Sequence, residues 1–130
     1  MLRECTRYDL ESGRLLGVGF VDTDLAPPTG MGRLLGRYDP ELEFFNTIES
    51  TVIPRTESGA VIDQGTITLG GSVTISNLPT PCELLVSSGT GYVTVEDGVL
   101  VLTPQSIGQY FAILDHPHYL RTRFDFEVNP

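Results

Sequence analysis

Few residues in this chain are of types that do chemistry, and their spacing decides how each reads. His116 and His118 flank Pro117 and are the only histidines. A histidine pair two residues apart can begin a metal site, but a tetrahedral centre takes three or four protein ligands. The only acid beside them is Asp115, so the string reads as a stiff loop, with Tyr119 after it as an aromatic anchor for a partner. Cys5 and Cys82 allow one disulfide, but with no apolar leader at the start of the chain the expected state is two free thiols. Asp22-Thr23-Asp24 has an acidic spacing found in cation loops. A calcium loop would go on supplying oxygens, whereas Leu25-Ala26-Pro27-Pro28 follows, so a capped turn is expected. Carboxylates pair in sequence at Asp9/Glu11, Asp39/Glu41 and Asp125/Glu127. Nothing around them would push two carboxyl pKa values apart, as acid–base hydrolysis requires. No Gly-x-Ser-x-Gly elbow occurs. The run from Gly30 to Gly36 lacks the spacing of a phosphate loop.

No catalytic, cofactor-binding or metal residues are therefore assigned, and the chain is expected not to be an enzyme. Lysine is absent from all 130 residues, which excludes Schiff-base chemistry and a Walker-A loop. Net charge is −9, from 17 acids against 8 arginines, so a polyanionic nucleic acid is not an expected partner. No apolar run of about 18 residues is present, so no membrane span is expected.

The elements that must carry these residues read as strands. Alanine occurs only at 26, 60 and 112, while Thr, Val and Ile are abundant, with 14 Gly and 9 Pro to turn the chain. Strands are expected over residues 6–10 and 14–21, joined by a hairpin at Glu11-Ser12-Gly13, then over 31–38, 43–46 and 51–53. Thr56-Glu57-Ser58-Gly59-Ala60 reads as a linker. Beyond it, Gly70-Gly71 and Asp97-Gly98 read as two-residue hairpin turns. Phe124, Phe126 and Val128 alternate with Arg123, Asp125 and Glu127, the pattern of a half-buried strand. About seven short strands at spacings of roughly 8–12 residues predict an antiparallel sandwich of immunoglobulin-like type. The fold class is thus all-β: a small N-terminal lobe of hairpins over 1–58, then a compact immunoglobulin-like β-sandwich over 59–130.

In the order of its motifs, the chain resembles small virion-associated proteins of tailed bacteriophages and prophages. The opening Tyr8-Asp9-Leu10-Glu11-Ser12-Gly13-Arg14-Leu15-Leu16-Gly17, the turn Tyr38-Asp39-Pro40 and the segment Val52-Ile53-Pro54-Arg55 carry the first part. Leu78-Pro79, Asp97-Gly98, Gly108-Gln109-Tyr110 and Pro117-His118-Tyr119-Leu120 with Phe124-Asp125-Phe126 carry the second. The polar turn over 46–50 and the two cysteines depart from that pattern. The resemblance implies a structural protein of a tail, fibre or connector, multi-copy or homo-oligomeric, assembled in the host cytoplasm and held in the virion by other virion proteins. A receptor- or glycan-binding module at a fibre tip is the alternative. Phe44, Phe45, Ile113, His116, His118 and Tyr119 are the candidate partner contacts, with Phe44, Phe45, Ile113 and Tyr119 expected to be exposed.

Overall fold

The computed structural model describes residues 1–89 and 91–130. It is all-β, with no helix among the described residues. The chain divides into two compact units, Met1–Thr56 and Glu57–Pro130.

In the first unit, β1 (Leu2–Asp9), β2 (Leu15–Asp22) and β3 (Met31–Leu35) form an antiparallel sheet in the order β2-β1-β3. The hairpin between β1 and β2 turns on Gly13, at φ 75°. The Asp9 carboxylate accepts hydrogen bonds from Ser12 N (3.0 Å) and Ser12 Oγ (2.6 Å), which closes the turn. The third strand stops at Leu35, earlier than the expected residue 38. Gly36 takes a positive φ of 103°, and Tyr38 N donates instead to the Thr6 hydroxyl at 3.0 Å. Thr6 Oγ1 in turn donates to Gly36 O (2.9 Å), so this fully buried hydroxyl has both roles filled. Two further strands, β4 (Glu43–Asn46) and β5 (Thr51–Pro54), pair with each other around the polar turn. They join the sheet through an Arg14–Phe44 bridge and the bond from Phe45 N to Gly13 O (2.8 Å).

The second unit holds β6 (Val61–Ile62), β7 (Thr66–Thr68), β8 (Val73–Ser76), β9 (Cys82–Val86), β10 (Gly91–Val95), β11 (Leu100–Leu102), β12 (Gly108–Leu114) and β13 (Thr122–Asn129). One sheet runs β10-β9-β12-β13-β7 and the other β11-β8-β6. Their inward residues form one core cluster, including Val73 and Ile75 from the smaller sheet and Leu84, Ala112, Leu114, Phe124, Phe126 and Val128 from the larger. The last strand behaves as its alternation predicts: Phe124, Phe126 and Val128 are buried, Arg123 and Asp125 exposed.

Two expected hairpins are corrected. The strands on either side of Gly70-Gly71 do not pair, since β7 bonds β13 in parallel and β8 bonds β11 and β6. Those on either side of Asp97-Gly98 do not pair either, since β10 bonds β9 and β11 bonds β8. Gly70 and Gly98 supply the positive φ of a tight turn (95° and 82°), but each turn carries the chain from one sheet to the other. Turn chemistry fixes the local bend. Burial of both inward faces in one core decides which sheet the next strand joins.

At the start of β12, Tyr110 Oη donates to Ser106 O at 2.7 Å, and the ring stacks on Phe126 with centroids 5.5 Å apart. Removing the hydroxyl in Tyr110→Phe is expected to lower the unfolding free energy by about 1 kcal/mol, read from urea melts, while the stacked ring keeps its place.

Candidate functional site

The structure gathers four of the six candidate contacts at one end of the larger sheet. Ile113 lies near the end of β12, and His116, His118 and Tyr119 occupy the loop over 115–121 that leads to β13. Ile113 points away from the core by alternation, since its neighbours Ala112 and Leu114 are fully buried, and it stands opposite Arg123; it and Tyr119 are half-buried rather than exposed as expected. On the same outward face the Arg123 guanidinium sits 4.4 Å from the Phe111 ring centroid and bonds Asp125 at 2.9 Å. In the loop, His116 Nδ1 accepts from His118 N at 3.1 Å. The His116 ring stands 5.2 Å from the His118 ring and 5.0 Å from the Tyr119 ring. The three rings thus cluster around Pro117. Among the described residues no group of three or more His, Cys, Asp or Glu side chains is placed to hold a metal ion.

Phe44 and Phe45, expected to be exposed, are corrected: each is only 8% exposed. Strand β4 is bonded to β5 along its length and bridged to Arg14 at Phe44, and the Phe45 ring packs on Tyr8 with centroids 4.3 Å apart. Two adjacent phenylalanines face opposite sides of a strand, and here both sides are covered. They belong to the core of the first unit.

Cys5 and Cys82 are both buried free thiols. Burial pushes the Cys82 thiol up, so it stays protonated near neutral pH. Asp22 and Asp24 form a turn whose carboxylates meet the Met1 amino group, each at 2.8 Å.

The Asp9 carboxyl is held below its ordinary value, first by the Ser12 hydroxyl and then by the Ser12 backbone N–H. An acid with a lowered folded pKa gives stability that is complete above the unfolded value, near 3.9, and is lost as pH falls through the folded one. Asp9→Asn is therefore expected to flatten the acid side of the stability–pH curve below about pH 4 and to leave its slope at neutral pH unchanged. Urea melts of both proteins across that range check this.

Two surface features are not legible from spacing along the chain. One is the edge of β2, which bonds only β1 over most of its length and exposes Phe20 at 72%. The other is a cleft carrying Arg7 and Arg33, brought together only by the register of β1 and β3. Compared with family models, curated proteins and solved structures, the chain matches none.

Proposed function

We propose that this protein is a non-enzymatic structural component of a tailed-phage virion, in the tail, fibre or connector region, acting through contacts with other virion proteins. The observation that carries the reading is the order of motifs along the whole chain, from Tyr8-Asp9 to Phe124-Asp125-Phe126. The uncharged stretch of β2 from Leu15 to Val21 adds support. Unpaired strand edges accept a neighbour's strand, which is how many assembly modules join.

We also infer that the second unit is an immunoglobulin-like sandwich. Its strand order supports this: β6, β8 and β11 correspond to strands A, B and E, and β9, β12 and β13 to C, F and G, with β10 added at the edge beside C. The bond from Tyr110 at the start of β12 to the backbone of Ser106 has the form of the tyrosine corner of such sandwiches.

Quantitative mass spectrometry of gradient-purified particles tests the virion role. The expected result is a fixed ratio to the major capsid protein. Tyr119→Asp is expected to lower that ratio at least about tenfold while leaving the circular dichroism unchanged, because its site is a surface loop. Absence of the protein from particles overturns the proposal.

A further inference from the structure

One face of the first unit's sheet concentrates positive charge. Arg3, Cys5, Arg7 and Asp9 of β1 share that face by alternation, with the Asp9 carboxylate taken by Ser12, and the register adds Gly17, Gly19 and Val21 of β2 and Arg33 of β3. Arg7 stands directly opposite Arg33. This occurs in a chain of net charge −9 with only eight arginines.

The two guanidiniums are deployed differently. The Arg33 side chain spans the width of β1 to reach the backbone oxygens of Asp22 (3.5 Å) and Thr23 (3.3 Å) at the far end of β2. The Arg7 side chain runs over β2, with Nη2 3.9 Å from where a Gly17 Cβ would stand. Among the described residues Arg7 has no carboxylate partner. Between them opens a cavity of about 200 Å³, walled by Val21 and by Leu25, Ala26, Pro27 and Pro28. Asp22 also lines it: its carboxylate attracts Arg33, and its Oδ1 takes the Met1 amino group (2.8 Å) and Asp24 N (3.0 Å), which leaves Arg7 as the uncompensated cation of the cleft. The cleft thus combines an excess of positive charge with an apolar wall whose two prolines offer no N–H donor.

We propose that this cleft is a binding site for a small carboxylate carried on an apolar body. The carboxylate lies between Arg7 and Arg33, and the body packs on Val21, Leu25 and the prolines. Planar guanidiniums match a carboxylate's two oxygens better than a point charge does. The volume lies below the roughly 300–1,000 Å³ of drug-sized sites, which limits the ligand to a compact monocarboxylate. The site does not depend on a virion role.

The test is a titration of the ¹⁵N-labelled full chain with benzoate, with its neutral counterpart benzamide and with inorganic phosphate. Benzoate is expected to give saturable shifts at the amides of Arg7, Val21, Ala26 and Arg33. Benzamide is expected to bind at least about tenfold more weakly, since it lacks the charge that the arginines recognise. Phosphate is expected to bind more weakly than benzoate, because it leaves the apolar wall wet. Arg7→Gln is expected to weaken benzoate at least about tenfold, and Arg123→Gln in the second unit to leave it unchanged. The absence of saturable benzoate shifts overturns the proposal, as does benzamide or phosphate matching benzoate. The ligand comparison on the unmodified chain decides the matter even if a variant folds poorly.

Discussion

Leu114→Ala lowers the unfolding free energy of the second unit by about 3 kcal/mol, within the roughly 2.7–5 kcal/mol measured for buried leucines truncated to alanine. Leu114 is fully buried near the end of β12, and its strand is bonded on both sides, to β9 and to β13. The neighbours that would have to collapse into the void are held by those ladders. Leu84, also fully buried, is its direct partner on β9. The truncation therefore costs the transfer of the lost carbons and most of the cavity term. In a unit this small the change moves the melting temperature by more than about 10 °C. Circular dichroism melts read it. The loss should also appear as faster amide exchange throughout β9, β12 and β13 with the exchange of β1 unaltered. A shift of less than about 1 kcal/mol would show that the core repacks, contrary to the bonded ladders.

The second large effect is Gly13→Ala. Gly13 holds φ 75°, and a Cβ there would collide with the Phe45 carbonyl oxygen. That oxygen is backbone in β4 and cannot swing aside as a side-chain end would. Phe45 N meanwhile donates to Gly13 O at 2.8 Å, so the β1–β2 turn and β4 are fixed at this approach. The left-handed conformation costs alanine about 1–2 kcal/mol, and the forced separation adds about 1–3 kcal/mol. Gly30→Ala is the matched comparison, since Gly30 has φ 82° and open space around it. It is expected to show the conformational cost alone, about 1–2 kcal/mol. Urea unfolding of the two variants separates the collision from the torsion. Equal losses would show that the approach of the β1–β2 turn to β4 is loose.

Strand-forming composition made the all-β class legible, and two-residue alternation made the inward face of β13 legible down to Phe124, Phe126 and Val128. Gly13 was legible as a turn, because the local chemistry of that hairpin is self-contained. The pairings around Gly70-Gly71 and Asp97-Gly98 were not. A glycine turn reports that the chain bends, while the partner of the next strand depends on residues far away in sequence, such as Glu127 beside Thr66. Phe44 and Phe45 read as exposed because a four-residue strand with adjacent aromatics has no inward side of its own. Tyr8 and Arg14, which cover and bridge it, lie far earlier in the sequence, before the whole of β2 and β3. The Arg7–Arg33 pair escaped for the same reason: their adjacency is a matter of register between β1 and β3.

The parallel pairing of β7 with β13 has a consequence for how the second unit comes to be folded. Thr66 near its start lies beside Glu127 near its end. Bringing these together requires closing almost the whole of the unit into one loop before any bond between them forms, and that entropy must be met in advance. Folding of this unit is thus governed by distant encounters and belongs to the millisecond-to-second class of β proteins. While that closure is awaited, the short hairpins β9–β10 and β12–β13 can form alone, and the apolar residues of β13 stay open to neighbouring chains. At high concentrations of newly made chain this exposure risks aggregation, and a chaperone that shields those residues until closure lowers the risk.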